Sequence, residues 1–205
     1  MVTVDEFEPF VSLYAPNIPS EYVQHAIRET INDFMRATKV AVDTVRFEKQ
    51  KFVEDYVLDL PEGRNLVSVI DVKHRKEKNC KAGSFIEVVN QPSMRGYEVF
   101  DDYDGFPAIE FFQDIPAGNT VEVKYSWVIG RNDCEVPSFI FEKYMDIIVA
   151  GSLARLYRIP NVEWFNMQVA LKYDEEFKSG LLGVKIKKTG GRKKLGSIFS
   201  RRRFL

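Results

Sequence analysis

In the stretch 120–129, TVEVKYSWVI, polar and apolar side chains alternate from Thr120 to Trp127. The apolar set is Val121, Val123, Tyr125 and Trp127, and the polar set is Glu122, Lys124 and Ser126. An alternation with a period of two predicts a β-strand that buries one face. This strand sets the expectation for the residues on either side of it.

The middle of the chain repeats this pattern in shorter runs. Further strands are predicted at 43–49, 52–60, 66–73, 84–89, 96–100 and 107–112. Pro-Glu-Gly at 61–63 and Pro-Ala-Gly-Asn at 116–119 separate some of them as turns. Several short strands at this spacing predict a small antiparallel sandwich or open barrel over residues 42–129.

Helical periodicity lies on the N-terminal side of the strands, over residues 20–38. Pro19 and Ser20 are helix start signals, because Pro suits a first turn and Ser can cap free amide groups. The apolar spacing puts one stripe on a single helix face. That stripe is formed by Val23, Ala26, Ile27, Thr30, Ile31, Phe34 and Met35.

Two more helices are predicted after Pro137. The first carries Phe141, Tyr144, Met145, Ile148, Val149, Ser152, Leu153 and Leu156 on one stripe, and Pro160 ends it. Gly151 lies inside this stripe, which predicts the close approach of a neighbouring helix. The second is expected over about 163–180, with Val169, Tyr173 and Phe177 on its buried face and Gly180 and Gly183 closing it.

These elements predict an α+β fold with three parts. Residues 1–41 and 130–184 form a three-helix unit, and residues 42–129 form an inserted antiparallel β-sandwich or barrel-like domain. Residues 185–205 form a basic C-terminal arm, which we expect to be disordered in the free monomer because it is rich in Gly and charge.

Charge is distributed unevenly along the chain. Residues 185–205 hold nine of the 29 Lys and Arg residues and none of the 30 Asp and Glu residues, so residues 1–184 carry 20 basic against 30 acidic side chains. The near-neutral total therefore hides an acidic body and a basic arm. Such asymmetry predicts that the arm reaches for an acidic partner.

The residue types that usually carry catalysis or bind metals are scarce. His25 and His74 are the only histidines, and Cys80 and Cys134 are far apart in sequence, so none has a companion at metal-ligand spacing. We therefore expect no catalytic residues, no metal and no cofactor.

Two short runs resemble ligand-binding motifs but lack residues or spacing that those motifs need. The run 101–105, DDYDG, resembles part of a calcium loop, but Phe100 and Phe111 stand where acidic ligands would be needed. An acidic hairpin loop is the better interpretation. The basic run 190–194, GGRKK, lacks the spacing of a phosphate-binding loop.

The sequence predicts neither a transmembrane helix nor a secretion signal. No apolar run approaches the roughly 18 residues that a transmembrane helix needs. The start, MVTVDEFEPF, has neither the basic nor the apolar region of a secretion signal. We expect the protein to act, or to be assembled into something larger, in a cytoplasm.

Both ends of the chain resemble a known family. The first segment is Leu13 to Pro19, LYAPNIP, followed by HAIRE at 25–29 and FMRAT at 34–38. The second is Val136-Pro137 with AGSLARL at 150–156, then IPN at 159–161, Trp164, Tyr173 and Phe177, and the ending RRRFL at 201–205. In this order they resemble the head-to-tail adaptor (connector) proteins of tailed bacteriophages, the group similar to tail tubular protein A.

The resemblance implies a structural role in the virion. Such adaptors form a ring of about twelve copies by head-to-tail contacts. The ring lies below the capsid portal and joins it to the next tail component, a nozzle or tail tube. DNA passes through the ring without specific binding, and no membrane or enzymatic activity is involved. The protein is then expected in the phage neck or tail, after assembly in the host cytoplasm.

The resemblance also implies that the C-terminal arm docks on the portal. Its candidate docking residues are Lys187, Lys188, Arg192, Lys193, Lys194, Phe199, Arg201, Arg202, Arg203, Phe204 and Leu205. In such an arm the charges mainly steer and the apolar residues anchor. The acidic body suits a DNA channel, since carboxylates repel phosphate.

Three other interpretations of the sequence stay open. The same arm cations could contact nucleic-acid phosphates, and such binding would fall steeply with salt. The chain could be an enzyme whose site is assembled from distant residues. The arm could also be a solvated segment without function.

Overall fold

The computed structural model describes residues 1–51, 53, 55–76, 96–103, 105–112, 115–130 and 133–190. It contains both helices and antiparallel strands, which confirms the predicted α+β class. The chain divides into two compact units. The β unit comprises Met1–Thr3 and Met35–Ser138, and the helical unit comprises Val4–Phe34 and the chain from Phe139 onward.

The described strands all pair antiparallel within the β unit. They are β1 (Val2–Thr3), β2 (Val42–Glu48), β3 (Asp55–Val57), β4 (Arg64–Lys76), β5 (Tyr97–Asp101), β6 (Pro107–Phe111), β7 (Asn119–Ile129) and β8 (Glu135–Val136). Their spatial orders are β2-β7-β4, β3-β6-β5 and β1-β8. The decisive stretch 120–129 is the central strand of the first sheet, so its clear alternation predicted it correctly.

The two three-stranded sheets enclose one hydrophobic core, which confirms the predicted sandwich. Val72, Val121 and Val123 come from one sheet, and Tyr56, Ile109 and Phe111 come from the other. The rings of Phe47 and Tyr56 stack with centroids 4.5 Å apart. Aromatic pairs of this kind add stability beyond their buried area.

The other strand predictions hold with shifted bounds. Among the described residues of the run 52–60, only Asp55–Val57 form a strand, β3, whereas 66–73 lies within the longer β4, whose register shifts twice against β7. The run 84–89 and Cys80 lie outside the described residues. β1 and β8 were not predicted, because two residues are too few to show a period.

The acidic hairpin loop predicted at 101–105 connects β5 to β6, which pair from Tyr97 with Phe111 to Asp101 with Pro107. The Phe106 amide donates a hydrogen bond of 2.7 Å to the Asp102 Oδ1 atom. Gly105 has a φ of +79°, a conformation that favours glycine. The hairpin loop is thus confirmed for its described residues.

The described helices are α1 (Glu8–Ser12), α2 (Ser20–Thr38), α3 (Ser138–Leu156) and α4 (Met167–Gly190), and a 3-10 turn (Val4–Phe7) precedes α1. α2 confirms the prediction over 20–38, and every residue of its predicted stripe is buried. The 3-10 turn and α1 were not predicted. Their single turns give little periodicity, but Phe7 and Val11 are fully buried in the helical unit.

Gly151 of α3 has the role that the sequence predicts. A Cβ atom there would collide with the Thr30 side chain on α2 and would lie 2.7 Å from the Phe177 ring on α4. Only a residue without a side chain lets these three helices approach so closely. The glycine therefore sets the packing of the helical unit.

The predicted end of the last helix is wrong. α4 does not stop near residue 180 but continues to Gly190, so the expected disorder of the segment 185–205 is wrong for residues 185–190. Gly180 is a packing residue, because a Cβ there would lie 2.8 Å from Ile147. The following Leu and Lys residues favour helix, and the lysines of the last turn suit its dipole.

Candidate functional site

The two sequence segments that carry the resemblance lie together in the helical unit. The Tyr157 hydroxyl, just after α3, donates a hydrogen bond of 2.9 Å to the carbonyl oxygen of Tyr14. The Tyr22 and Trp164 rings meet edge to face with centroids 5.7 Å apart. Both contacts join the chain's beginning to a region more than 140 residues further on. The helical unit is therefore one structure built from both ends of the described chain.

An open cleft of about 400 Å³ lies beside this junction. α3, α4 and the chain around α1 form its walls. The lining residues are Phe10, Leu13, Tyr14, Met145, Asp146, Val149, Ala150, Leu153, Lys172, Tyr173 and Glu176. We call it the tyrosine groove. Its N-terminal wall is unusually exposed, since Leu13 keeps 74% and Tyr14 keeps 56% of its accessible surface.

Tyr173 gives the tyrosine groove its chemical character. Its ring stacks on Tyr157 with an interplanar angle of 9° and centroids 6.3 Å apart. Burial, with further contributions from Tyr157, Glu176 and Tyr14, raises the pKa of the Tyr173 hydroxyl. The phenol stays neutral at physiological pH, so the groove combines apolar surface with a neutral hydroxyl and the carboxylates of Asp146 and Glu176. Such a surface suits an apolar segment with basic neighbours.

α4 carries apolar residues on two opposite faces. Phe177 and Gly180 pack against α3, at Gly151 and Ile147. Successive residues of a helix are rotated by about 100°, which places Leu171, Leu182 and Ile186 on the side away from α3. These three side chains keep 50%, 58% and 69% of their accessible surface. We call them the outer stripe.

A second cavity, of about 340 Å³, lies where α2 passes the end of α3. Tyr22, His25, Ala26, Glu29, Arg155, Arg158 and Ile159 line it. Its arginines are already paired with carboxylates, Arg155 with Asp33 and Arg158 with Asp174 at 3.6 Å. The cationic groups are therefore largely neutralised, which leaves little field for an anionic ligand.

A row of carboxylates crosses the outer face of the sheet β3-β6-β5. Asp55, Glu110 and Glu98 are direct register partners on the three neighbouring strands. Their strand neighbours Tyr56, Ile109 and Phe111 point into the core, so the acids face outward. Like charges directly opposite one another destabilise a sheet. The acid row therefore makes this surface negative at a cost in folding stability.

The aromatic residues in and around the β5–β6 hairpin divide into two groups. Phe111 is buried and Tyr97 packs partly against the sandwich core, whereas Phe106 and Phe112 are about 60% exposed. Tyr103, in the hairpin loop, is fully exposed. The β5–β6 hairpin therefore presents aromatic surface to solvent next to the acid row.

The structure describes only the start of the predicted docking arm. Lys187 and Lys188 are exposed and lie in the last turn of α4. Arg192, Lys193, Lys194, Phe199, Arg201, Arg202, Arg203, Phe204 and Leu205 lie outside the described residues. The two described lysines thus extend from a helix, at the point where the remaining basic residues follow in sequence.

The histidines and the cysteine of the described part of the chain lie apart from one another. Within it, no group of three or more His, Cys, Asp or Glu side chains is arranged to hold a metal ion. His74 approaches the Asn119 amide, with 3.3 Å between His74 Nδ1 and Asn119 Nδ2, and His25 lies beside the second cavity. Cys134 is exposed.

No protein-family model matches the chain, and no curated protein matches it. Among the described helices, none is both long and apolar enough to cross a lipid bilayer.

Proposed function

We propose that this protein is a structural component of a tailed-bacteriophage virion, a head-to-tail adaptor that forms a ring between portal and tail. The observation that carries the proposal is the meeting of the two segments that resemble such adaptors. The turn at Leu13–Pro19 and the turn that holds Trp164 belong to one helical unit, joined through Tyr14, Tyr157 and Tyr22. A match spread over distant segments gains weight when those segments share one structure.

The surfaces suit a protein that works through contacts. The tyrosine groove and the outer stripe leave apolar area uncovered on the helical unit, and Tyr103, Phe106 and Phe112 do so on the β unit. Exposed apolar area of this kind marks interaction surfaces in soluble proteins. We assign the aromatic hairpin of the β unit to the next tail component, and the basic arm to the portal.

The charges suit a DNA channel. The acid row of Asp55, Glu98 and Glu110 repels phosphate and lets DNA slide past without binding. The basic arm, which begins at Lys187 and Lys188, is drawn to an acidic surface of the portal. No cofactor or catalytic group takes part in this role, and the protein resides in the phage neck.

The arm can be tested without disturbing the described structure. Because α4 ends at Gly190, a chain that stops there keeps the helix and loses six of the arm's cations with Phe199, Phe204 and Leu205. We expect this truncation to abolish binding to the portal of the same phage and to leave far-UV circular dichroism and the unfolding midpoint unchanged. Unchanged portal binding would show that the arm is not the docking element.

A matched pair of full-length variants separates the two parts of the arm. Replacing Phe199, Phe204 and Leu205 by Ser keeps every charge, and we expect faster dissociation from the portal, since buried apolar anchors mainly set the off-rate. Replacing Arg201, Arg202 and Arg203 by Gln keeps every anchor, and we expect slower association with a weaker salt dependence.

The competing nucleic-acid function gives a different result in the same preparations. If the arm binds DNA, its six cations beyond Gly190 would contribute about −5 to the slope of a plot of log affinity against log salt, and truncation would remove this contribution. Retardation of DNA with this slope, together with no portal binding, would replace the adaptor proposal by the nucleic-acid one.

A further inference from the structure

The tyrosine groove and the outer stripe are two apolar surfaces of the same helical unit. We propose that they bind each other between copies: the outer stripe at the C-terminal end of α4 in one copy fills the tyrosine groove of the next. This inference rests on the proposed ring and identifies the contact that builds it. The contact is heterologous, with different surfaces on its two sides, which is the type that closes rings.

A copy cannot fill its own groove with its own stripe. Lys172, Tyr173 and Glu176 of α4 line the tyrosine groove, whereas Leu182 and Ile186 follow them on the same continuous helix. At 1.5 Å per residue, Ile186 lies about 15 Å along the axis from Glu176, and it faces away from α3. A rigid helix keeps this separation, so Leu182 and Ile186 can enter only the groove of another molecule.

The charges of the two surfaces are complementary. From Phe177 to Gly190, α4 carries four lysines and no acidic residue; Lys178 pairs with Asp174 at 2.6 Å, and the other three lie in the last six residues. The groove carries Asp146 and Glu176 against the single cation Lys172, which lies 4.0 Å from Glu176. Asp146 has no salt-bridge partner among the described residues. A lysine-rich helix end therefore lowers its electrostatic energy by docking at this rim.

The sizes of the two surfaces are also compatible. The groove volume of about 400 Å³ leaves room for the side chains of Leu182 and Ile186 beside Tyr173. Leu13 and Tyr14 would close over the docked helix from the other side, which accounts for their exposure in the single copy. Apolar anchors surrounded by a polar rim are the usual form of a binding hot spot.

Cysteine cross-linking tests the predicted pairing directly. In a full-length background with Cys80→Ser and Cys134→Ser, Leu13→Cys marks the groove and Ile186→Cys marks the stripe. At submillimolar concentration under mild oxidation, we expect an equimolar mixture of the two variants to form a disulfide-linked dimer in at least tenfold excess over either variant alone. The double variant should form a ladder of linked chains. A Glu163→Cys variant, exposed outside both surfaces, is the control and should cross-link with neither.

Complementation tests the heterologous character of the contact. Leu13→Gln impairs the groove, and the pair Leu182→Gln and Ile186→Gln impairs the stripe; all three positions are exposed, and Gln is tolerated in helices. By sedimentation, we expect the parent chain to associate beyond the dimer and each variant to stay monomeric. The equimolar mixture should stop at the dimer, because it contains one intact groove and one intact stripe.

Three results would overturn the inference. A parent chain that stays monomeric at these concentrations excludes the contact. Preferred linkage of groove to groove or of stripe to stripe shows a symmetric contact instead. The third result would show that the chain's own residues 191–205 occupy the groove. In that case the mixture of the two variants gives no more linked dimer than either variant alone, and linkage between chains increases after truncation at Gly190. None of these measurements uses the portal, so failure of the ring contact and failure of the adaptor proposal remain distinguishable.

Discussion

Adding one methyl group at Gly151 should weaken the helical unit, although alanine is the better helix former. The substitution Gly151→Ala gains about 1 kcal/mol of helix propensity. Its Cβ, however, collides with Thr30 and lies 2.7 Å from Phe177. Thr30 is fully buried and its hydroxyl donates a hydrogen bond of 2.7 Å to the Ala26 carbonyl oxygen, so it cannot turn aside without losing this bond.

The net effect of Gly151→Ala on the free energy of unfolding is the overpacking cost less the gain in helix propensity. Overpacking of this kind costs about 1–3 kcal/mol, and the obstruction on two sides places Gly151 toward the upper part of that range. We expect a net loss of about 1–2 kcal/mol in the free energy of unfolding, which lowers the melting temperature by about 2–4 °C per kcal/mol for a chain of this size. Urea unfolding followed by far-UV circular dichroism measures it.

Gly183→Ala is the matched control for this prediction. Nothing lies within 4 Å of a Cβ built at Gly183, and the residue is inside α4. This variant should therefore be more stable than the parent by about 0.5–1 kcal/mol, the propensity gain alone. A Gly151→Ala variant as stable as the parent would refute the packing argument, and a Gly183→Ala variant without any gain would argue against a helix that continues past residue 180.

Two further predictions concern the β unit. Glu110→Gln removes the central charge of the acid row and should stabilise the β unit by about 0.2–1 kcal/mol at low salt, with a smaller gain at high salt. Glu62→Gln in an exposed turn is the control and should leave the free energy of unfolding unchanged. An equal effect of the two substitutions would contradict the repulsion within the acid row. Burial, and secondly the Asp43 carboxylate, raises the pKa of the Tyr125 hydroxyl. The unfolded chain then ionises first as the pH rises, so the free energy of unfolding should be unaffected below pH 10 and should fall above it. Tyr125→Phe should make that alkaline loss smaller in denaturant titrations at several pH values, and an undiminished loss would assign the effect to other groups.

The elements with a long, regular period were predictable from the sequence. α2 and α3 repeat their pattern over more than ten residues and β7 alternates from Thr120 to Trp127, and their observed bounds follow these patterns closely. Gly151 was predictable as a close-packing glycine because it interrupts an otherwise apolar stripe. In α2 and β7 the buried face is long enough to show its period, whereas residues 148–154 of α3 are buried on all sides.

The predicted end of α4 near residue 180 is wrong for a physical reason. A glycine can end a helix or allow close packing, and the sequence alone does not distinguish the two. Gly180 keeps a helical backbone because its missing side chain admits Ile147. A helix that ended near residue 180 would not include Leu182 and Ile186, so the second apolar face of α4 is not predicted from the sequence.

The candidate surfaces depend on contacts between distant residues. The tyrosine groove brings Leu13, Met145 and Tyr173 together, and the acid row depends on strand register. Register follows from the pairing of whole strands and is not visible in one strand alone. The outer stripe did leave a signal, since Leu182 and Ile186 are four residues apart, but it is recognisable only once the helix is known to continue.

The most direct test of the adaptor proposal is electron microscopy of the full-length protein mixed with the portal of the same phage, beside the portal alone. The proposal predicts an additional ring layer at one end of the portal, present with the full chain and missing when the chain stops at Gly190. Portals that remain bare at saturating protein would contradict it.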